Sequence, residues 1–78
     1  MPTIKFVGQH RFFFASCDGG EPPHVHIEHD GKVAKFWLQP VKKAKAGRLS
    51  QYQLNTIERL VSEHQVEFIK AWHDFFGR

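Results

Sequence analysis

Two histidines, a glutamate and a lysine are the residues of this sequence best suited to chemistry. His24, His26 and Glu28 alternate along one short segment, so their side chains share a face if that segment is a β-strand. A turn at Asp30-Gly31 then returns the chain and sets Lys35 across from His26. Imidazole and carboxylate groups exchange protons near neutral pH, and an ammonium group offsets charge that develops on a phosphate. These residue types suit acid–base cleavage of RNA.

In this interpretation the reaction needs no metal and no other cofactor. His24 and His26 form the catalytic acid–base pair, which takes a proton from a ribose 2′-hydroxyl and returns one to the leaving oxygen. Glu28 orients the pair. Lys35 completes the predicted catalytic group, and Lys35 or Arg11 meets the phosphate.

A second set of residues suits the binding of nucleic acid. Trp37 is predicted across from His24, where its ring can stack on a base. Four cations lie close together after it and can attract a phosphate backbone: Lys42, Lys43, Lys45 and Arg48. With Arg11 and Trp37 they are the predicted nucleic-acid contacts. A solvated, lysine-rich loop is the plainer interpretation of the four cations, and the sequence alone favours it.

Two other interpretations of the same face stay open. Histidines in a His-x-His pattern can bind one divalent ion, with Glu28, His10 or His29 as the third ligand. In a purely structural interpretation, Glu28 and Lys35 form an ordinary diagonal ion pair on a half-exposed sheet. A C-terminal helix that covers this face would bury the histidines among hydrogen bonds.

The elements that must position these residues are strands first and helix afterwards. Patterning predicts strands at 3–7, 10–16, 24–29, 32–38 and 41–46, with a loop at 17–23. Asp30-Gly31 is the pair that a two-residue type I′ hairpin turn favours. The register of that hairpin predicts a core face with the side chains of Val25, Ile27, Ala34, Phe36 and Leu38.

The C-terminal part has apolar residues at helical spacing. Ser50 with Gln53 predicts a capping box at the start, and Gly77 predicts the end. One helix over 51–76 would be about 39 Å long, which exceeds the width of a globule of this size, so we favour a break near 62–64. Ser62 with Gln65 is a second candidate capping box. The predicted class is α+β: a small antiparallel sheet of three to five strands, followed by one or two C-terminal helices packed on one face.

Composition excludes several classes of protein. The 78 residues are 41% hydrophobic, which is too apolar for a disordered chain, and their net charge is +3. The longest apolar run, Phe12 to Ala15, is too short to cross a membrane, and the first residues lack the pattern of a secretion signal. The single Cys17 cannot close a disulfide within the chain. We expect a cytoplasmic protein with no membrane partner and a single domain over 1–78, β-rich in 1–46 and helical in 50–76.

The segment from Glu21 to His26, with its sequence Pro-Pro-His-x-His, resembles a family of very small bacterial proteins known only as domain of unknown function four-one-six-zero. The residues from Arg11 to Phe14 resemble the aromatic second strand of that family. Residues 34–38 resemble the strand after the motif, and 57–61 with 71–72 resemble its helical tail. Many members have Asn where this chain has Glu21.

The resemblance implies a bacterial or phage-borne protein whose gene lies beside a second small gene, as in a toxin–antitoxin pair. We therefore predict a toxin-like protein that acts on RNA. A cognate small protein, RNA or DNA are candidate partners, and a homodimer is a candidate assembly. The rival prediction is an antitoxin-like, non-enzymatic module that binds a partner or DNA through the cations of 42–48 and an apolar patch around Trp72. Binding of a divalent metal is the third prediction.

Overall fold

Five strands and two α-helices follow one another in the order that the sequence predicts. The computed structural model describes residues 3–77, so three terminal residues of the predicted domain lie outside it. One antiparallel sheet has its strands in chain order: β1 (Thr3–Val7), β2 (His10–Phe13), β3 (His24–His29), β4 (Lys32–Leu38) and β5 (Val41–Lys45). A 3₁₀ helix (Ser16–Gly20) precedes β3, and α1 (Gln51–Glu63) and α2 (Gln65–Phe76) complete the chain. The α+β prediction is confirmed.

The hairpin of β3 and β4 has the predicted register. His26 pairs with Lys35 and His24 pairs with Trp37. Asp30 and Gly31 both have positive φ, 53° and 73°, as a type I′ turn requires. Alternation along the two strands then buries every predicted core side chain of the hairpin: Val25, Ile27, Ala34, Phe36 and Leu38.

Both α-helices pack on the face of the sheet that carries these core side chains. Phe12 of β2 meets Phe68 of α2 there, with ring centroids 5.0 Å apart. Neither α-helix lies over the opposite face, which we call the open face, except at the start of β3, which Trp72 of α2 covers together with Asp18 of the 3₁₀ helix. The strand register assigns the following side chains to the open face, His24 at the start of β3 aside: Thr3, Phe6, Arg11, Phe13, His26, Glu28, Val33, Lys35, Trp37, Lys42 and Lys45. None of the helices described is long and apolar enough to span a bilayer.

The predicted break in the C-terminal helix is confirmed, and it falls at His64. Ser50 and Gln53 form the predicted capping box on α1, and Gly77, at φ 70°, ends α2. The second capping box is wrong, because no side chain caps α2. Gln65 instead donates from Nε2 to the carbonyl of Leu38 at 2.7 Å, which ties the start of α2 to the end of β4.

The segment between β2 and β3 differs from the prediction. Strand β2 ends at Phe13 and not at residue 16, because the chain turns there into the 3₁₀ helix. The amide of Asp18 donates to the carbonyl of Ala15 at 3.1 Å, and the amide of Glu21 donates to the carbonyl of Asp18 at 3.0 Å. This tight turn brings the side chain of Asp18 over the start of β3. Strand β5 also ends one residue early, at Lys45.

A candidate Asp-His-His site

Three side chains converge at the start of β3, and we call them the Asp-His-His site: Asp18, His24 and His26. One carboxylate oxygen of Asp18, Oδ2, lies 2.8 Å from Nε2 of His24 and 2.7 Å from Nε2 of His26. One ligand atom from each residue lies within 4.8 Å of the others, close enough for a single metal ion. The two predicted histidines are therefore brought together, but their carboxylate partner is Asp18 and not Glu28.

The two prolines before β3 fix the position of His24. Pro23 accepts a backbone hydrogen bond from the amide of Leu38 at 3.0 Å, so the entry to β3 is joined to the end of β4. The carbonyl of Pro22 lies 2.9 Å from Nδ1 of His24 and can only accept a proton there. His24 consequently carries a hydrogen on Nδ1 and turns Nε2 toward Asp18.

The two histidines differ in their access to solvent. The side chain of His24 is completely buried, with its ring against Trp37 at 5.5 Å and Trp72 at 4.9 Å. Alternation alone predicts His24 on the same open surface as His26, but Trp72 of α2 covers this end of the strand. His26 keeps partial exposure and stacks on Phe13 at 5.2 Å. Only His26 of the predicted acid–base pair can reach a molecule outside the protein.

Asp18 is nearly buried, and its environment favours the ionised form. Burial alone raises the pKa of the carboxyl group, but the hydrogen bonds from His26 and His24, and their charges, outweigh burial and hold the pKa below its ordinary value. Asp18 therefore stays negative where it faces the two rings. The thiol of Cys17, which is exposed, lies 3.8 Å from the other carboxylate oxygen.

Lys35 lies across from His26 as predicted, but its charge is already paired. Its Nζ atom lies 2.7 Å from Oε1 of Glu21 and 4.6 Å from the centre of the Trp37 ring. The hydrogen bond from Lys35 lowers the pKa of Glu21. Glu21 therefore adds an ion pair at the rim of the site.

Arg11 and Glu28 form a separate pair on the open face. Nη1 of Arg11 lies 2.8 Å from Oε1 of Glu28, and Nε of Arg11 donates to the hydroxyl of Thr3 at 2.8 Å. The guanidinium also lies over the ring of Phe13, 4.4 Å from its centre. Glu28 therefore orients Arg11 and makes no contact with either histidine of the site. Its predicted role beside them was placed wrongly, because directly opposite partners across β2 and β3 meet more closely than diagonal neighbours.

The four predicted cations of the lysine-rich segment lie on and after the edge strand β5, and all are exposed: Lys42, Lys43, Lys45 and Arg48. None forms an ion pair with another of residues 3–77. Lys42 pairs with Trp37 and Lys45 pairs with Lys35, so both belong to the open face. Of the apolar patch expected around Trp72, the side chain of Trp72 itself is 2% exposed, whereas that of the nearby Phe75 is 43% exposed.

The other histidines proposed as third ligands, His10 on β2 and His29 on β3, lie at the opposite end of their strands from the site. The rings of His10 and His29 stack at 4.5 Å, and Nδ1 of His10 bonds the carbonyl of Val7. Stacked rings hold their nitrogens side by side and do not aim them at one point. Sequence reasoning missed Asp18, which offered one signal: it is the only acidic residue in the segment between β2 and the Pro-Pro pair apart from Glu21.

A family model describes most of this chain. The model of the domain of unknown function (DUF4160) matches residues 10–73, which include β2 to β5, α1 and the whole Asp-His-His site. The chain belongs to this family. The predicted family is thus confirmed. Searches of curated proteins and of solved structures found no match. Family membership assigns no activity, so the predicted catalytic and nucleic-acid roles stay predictions.

Proposed function

We propose that the protein binds single-stranded RNA on the open face of its sheet. The observation that carries the proposal is the set of exposed, unpaired cations on β5 beside a face that also exposes aromatic rings. Phe6 is 66% exposed on this face. An uncovered sheet with aromatic rings and neighbouring cations is the arrangement on which RNA-binding domains stack bases.

The rings of the open face follow a diagonal line across the sheet. Phe6 on β1 lies one residue row from the stacked pair of Phe13 and His26, and Trp37 on β4 lies one row further. Neighbouring strands are about 4.8 Å apart. Phe13 is 5% exposed beneath the Arg11 guanidinium, so Phe6 and Trp37 are the rings that offer stacking positions to bases. Lys42, which pairs with Trp37, is placed to meet the backbone phosphate beside that base.

The charge of the molecule is divided between its two sides. Residues 3–48 carry eight Lys and Arg side chains against four Asp and Glu. The helices reverse the balance, since Glu58, Glu63, Glu67 and Asp74 outnumber their cations Arg59 and Lys70. A polyanion is therefore drawn to the sheet and turned away from the helices.

The cation contribution is tested by the salt dependence of binding. We expect that Lys42→Ala with Lys45→Ala reduces the slope of log K against log salt by about 1.4, because each phosphate contact to a single strand contributes about 0.7. Lys70→Ala is the matched control, since Lys70 is exposed on α2 and faces away from the sheet. Fluorescence anisotropy of a labelled single-stranded RNA gives the slopes. Equal slopes for both variants would contradict the proposal.

The stacking contribution is tested by a second variant. Phe6→Ala should weaken RNA binding by roughly 5- to 150-fold, the equivalent of about 1–3 kcal/mol for a stacked base. Tyr52→Ala removes an aromatic ring that is 80% exposed on α1 and should leave binding unchanged. Duplex DNA bound as tightly as single-stranded RNA would favour the rival antitoxin-like role.

RNA cleavage is a second candidate function, and the position of His26 favours it. Its Nε2 faces Asp18, while Nδ1 has no hydrogen-bond partner among residues 3–77 and lies beside the open face. As a base, Nδ1 takes the proton of a ribose 2′-hydroxyl. The 2′-oxygen then bonds to phosphorus, the bond to the 5′-oxygen breaks, and water returns a proton to that oxygen. His24 is buried and acts only by positioning Asp18.

Cleavage is tested with labelled RNA in excess chelator. His26→Ala should abolish cleavage and keep RNA binding within a few-fold, whereas His73→Ala, on the exposed side of α2, should leave both unchanged. Cleavage by His26→Ala at the rate of the native chain would remove this candidate. Growth arrest on expression of the native chain, relieved by His26→Ala, is the outcome expected for a toxin-like protein.

A further inference from the structure

We propose that the Asp-His-His site binds one divalent transition-metal ion, with zinc as the ion that fits it best. The three ligand atoms are Oδ2 of Asp18, Nε2 of His24 and Nε2 of His26. The inference rests on these three side chains and does not depend on the binding of RNA. The sequence also predicts a divalent-metal site at the two histidines, but here Asp18 takes the place of Glu28, His10 or His29 as the additional ligand.

The site needs either a proton or a metal ion between Nε2 of His24 and Asp18. Its Nδ1 carries a hydrogen, because the carbonyl of Pro22 is an acceptor only. In a neutral ring Nε2 then holds a lone pair, and that lone pair points at the negative oxygen of Asp18 from 2.8 Å. Two lone pairs that face each other in a buried site repel, and either a proton or a metal ion between them removes the repulsion.

The surroundings of His24 are those of a metal ligand. Histidines that bind metals almost always donate their second ring nitrogen to a carbonyl or carboxylate, as Nδ1 of His24 does to Pro22. The rings of Trp37 and Trp72 enclose the same imidazole and exclude water from it. Outer contacts of this kind fix the orientation of a ligand and raise its basicity.

The set of ligands indicates the class of ion. Two imidazole nitrogens and one carboxylate oxygen suit zinc and its neighbours better than magnesium or calcium, which prefer oxygen ligands. Three protein ligands leave a coordination position for water or substrate, on the side where His26 reaches solvent. A zinc ion about 2.1 Å from each atom, in tetrahedral geometry, holds its ligands about 3.4 Å apart. Asp18 therefore needs to separate from each histidine by roughly 0.6–0.7 Å to admit it.

Zinc binding would have a defined effect on the second candidate function. The ion uses the lone pair of Nε2 on His26, so the proton of that neutral ring resides on Nδ1, which then cannot act as a base. The metal-loaded protein is expected to bind RNA on the open face without acid–base cleavage by His26. The failure of the zinc proposal can therefore be distinguished from the failure of the RNA proposal, since metal content is measured with no RNA present.

The experiment measures metal bound by the untagged native chain and four variants. Zinc titration by calorimetry, and cobalt titration followed by visible absorption, should both show stoichiometric binding for the native chain. His26→Gln and Asp18→Asn should bind at least about 100-fold more weakly, since even the loss of an outer partner costs up to that factor. Cys17→Ser and His73→Gln are matched controls, which remove the exposed thiol and an exposed imidazole and should bind like the native chain.

Three results of the titrations would overturn the proposal. They are sub-stoichiometric zinc in the native chain, unchanged binding by both ligand variants, and loss of binding by Cys17→Ser. If a ligand variant fails to fold, the native chain still decides the question. Zinc should shift the ring nitrogen signals of His24 and His26 in a nuclear magnetic resonance spectrum and leave those of the other histidines unchanged. A shift of the other histidines alone would place the ion elsewhere.

Discussion

Replacing Asp18 with Asn removes the charge of the Asp-His-His site and keeps the size of the side chain. Oδ2 of Asp18 accepts two hydrogen bonds from imidazole nitrogens, and the residue is nearly buried. A charge-assisted hydrogen bond contributes about 1.5–3 kcal/mol and a neutral one about 0.5–1.5 kcal/mol. The loss is about 1 kcal/mol for each bond. We therefore expect Asp18→Asn to lower the free energy of unfolding by about 2 kcal/mol in the metal-free protein.

That loss is large for a chain of this length. A domain of this size has a total free energy of unfolding of roughly 4–12 kcal/mol, so the melting temperature should fall by about 8–16 °C. Urea unfolding in excess chelator, followed by tryptophan fluorescence, measures the loss. The signal is informative because Trp37 and Trp72 both contact His24. Asp74→Asn is the matched control: its pair with Lys70 is exposed, and its loss should cost less than about 0.5 kcal/mol.

The pH dependence of the same difference identifies its cause. The pKa of Asp18 is lower in the folded chain than its ordinary value of 3.8, because the bonds from His26 and His24 outweigh burial. The unfolded chain therefore binds more protons in this range, and stability rises with pH. The contribution of Asp18 is complete above pH 3.8 and disappears as pH falls through the folded-state pKa. A difference from Asp18→Asn that persists below that pKa, or that equals the difference from Asp74→Asn, would refute the reasoning.

Four further changes test the fold by urea unfolding. Gly47→Ala should destabilise the protein by more than about 2 kcal/mol, because φ is 62° there and the added methyl group would overlap the carbonyl of Val33. Gly31→Ala, at φ 73° in open space, should cost only about 1–2 kcal/mol, and equal losses would contradict the clash. Phe12→Ala should cost about 3–5 kcal/mol, since the ring is completely buried against α2, and a loss below 1 kcal/mol would place the core elsewhere. Ser50→Ala should cost about 1 kcal/mol by removing one half of the capping box of α1, and an unchanged free energy of unfolding would contradict that contribution.

The β3–β4 hairpin was predictable because short-range physics determines it. Asp30-Gly31 favours one turn type, and that turn type fixes which residues of the two strands face each other. Alternation then decides which side chains enter the core. Every pair of that register, including His26 with Lys35, follows from these two rules. The capping box of Ser50 and Gln53 was predictable for the same reason, since its partners are three residues apart.

The register between β2 and β3 was not predictable in this way. The connection between these strands contains the 3₁₀ helix and two prolines, and no tight turn fixes which residues pair. The pairing of Arg11 with Glu28 therefore could not be predicted from the pattern of either strand. Asp18 escaped notice for the same cause. Its contact with His26 depends on a turn that brings it back over β3, and no period of two or of 3.6 residues marks such a turn.

The burial of His24 shows that the two histidines of the His-x-His motif can have different roles. His24 and His26 are two residues apart and share a face by alternation, yet Trp72 of α2 covers only the first of them. The buried ring is held by Pro22 and Asp18, so its orientation is set by the fold. The partly exposed ring of His26 contacts the same carboxylate, so its orientation depends on how His24 positions Asp18. A rigid inner histidine that fixes Asp18, and an outer one that meets solvent, is the division that either a metal ion or an acid–base reaction requires.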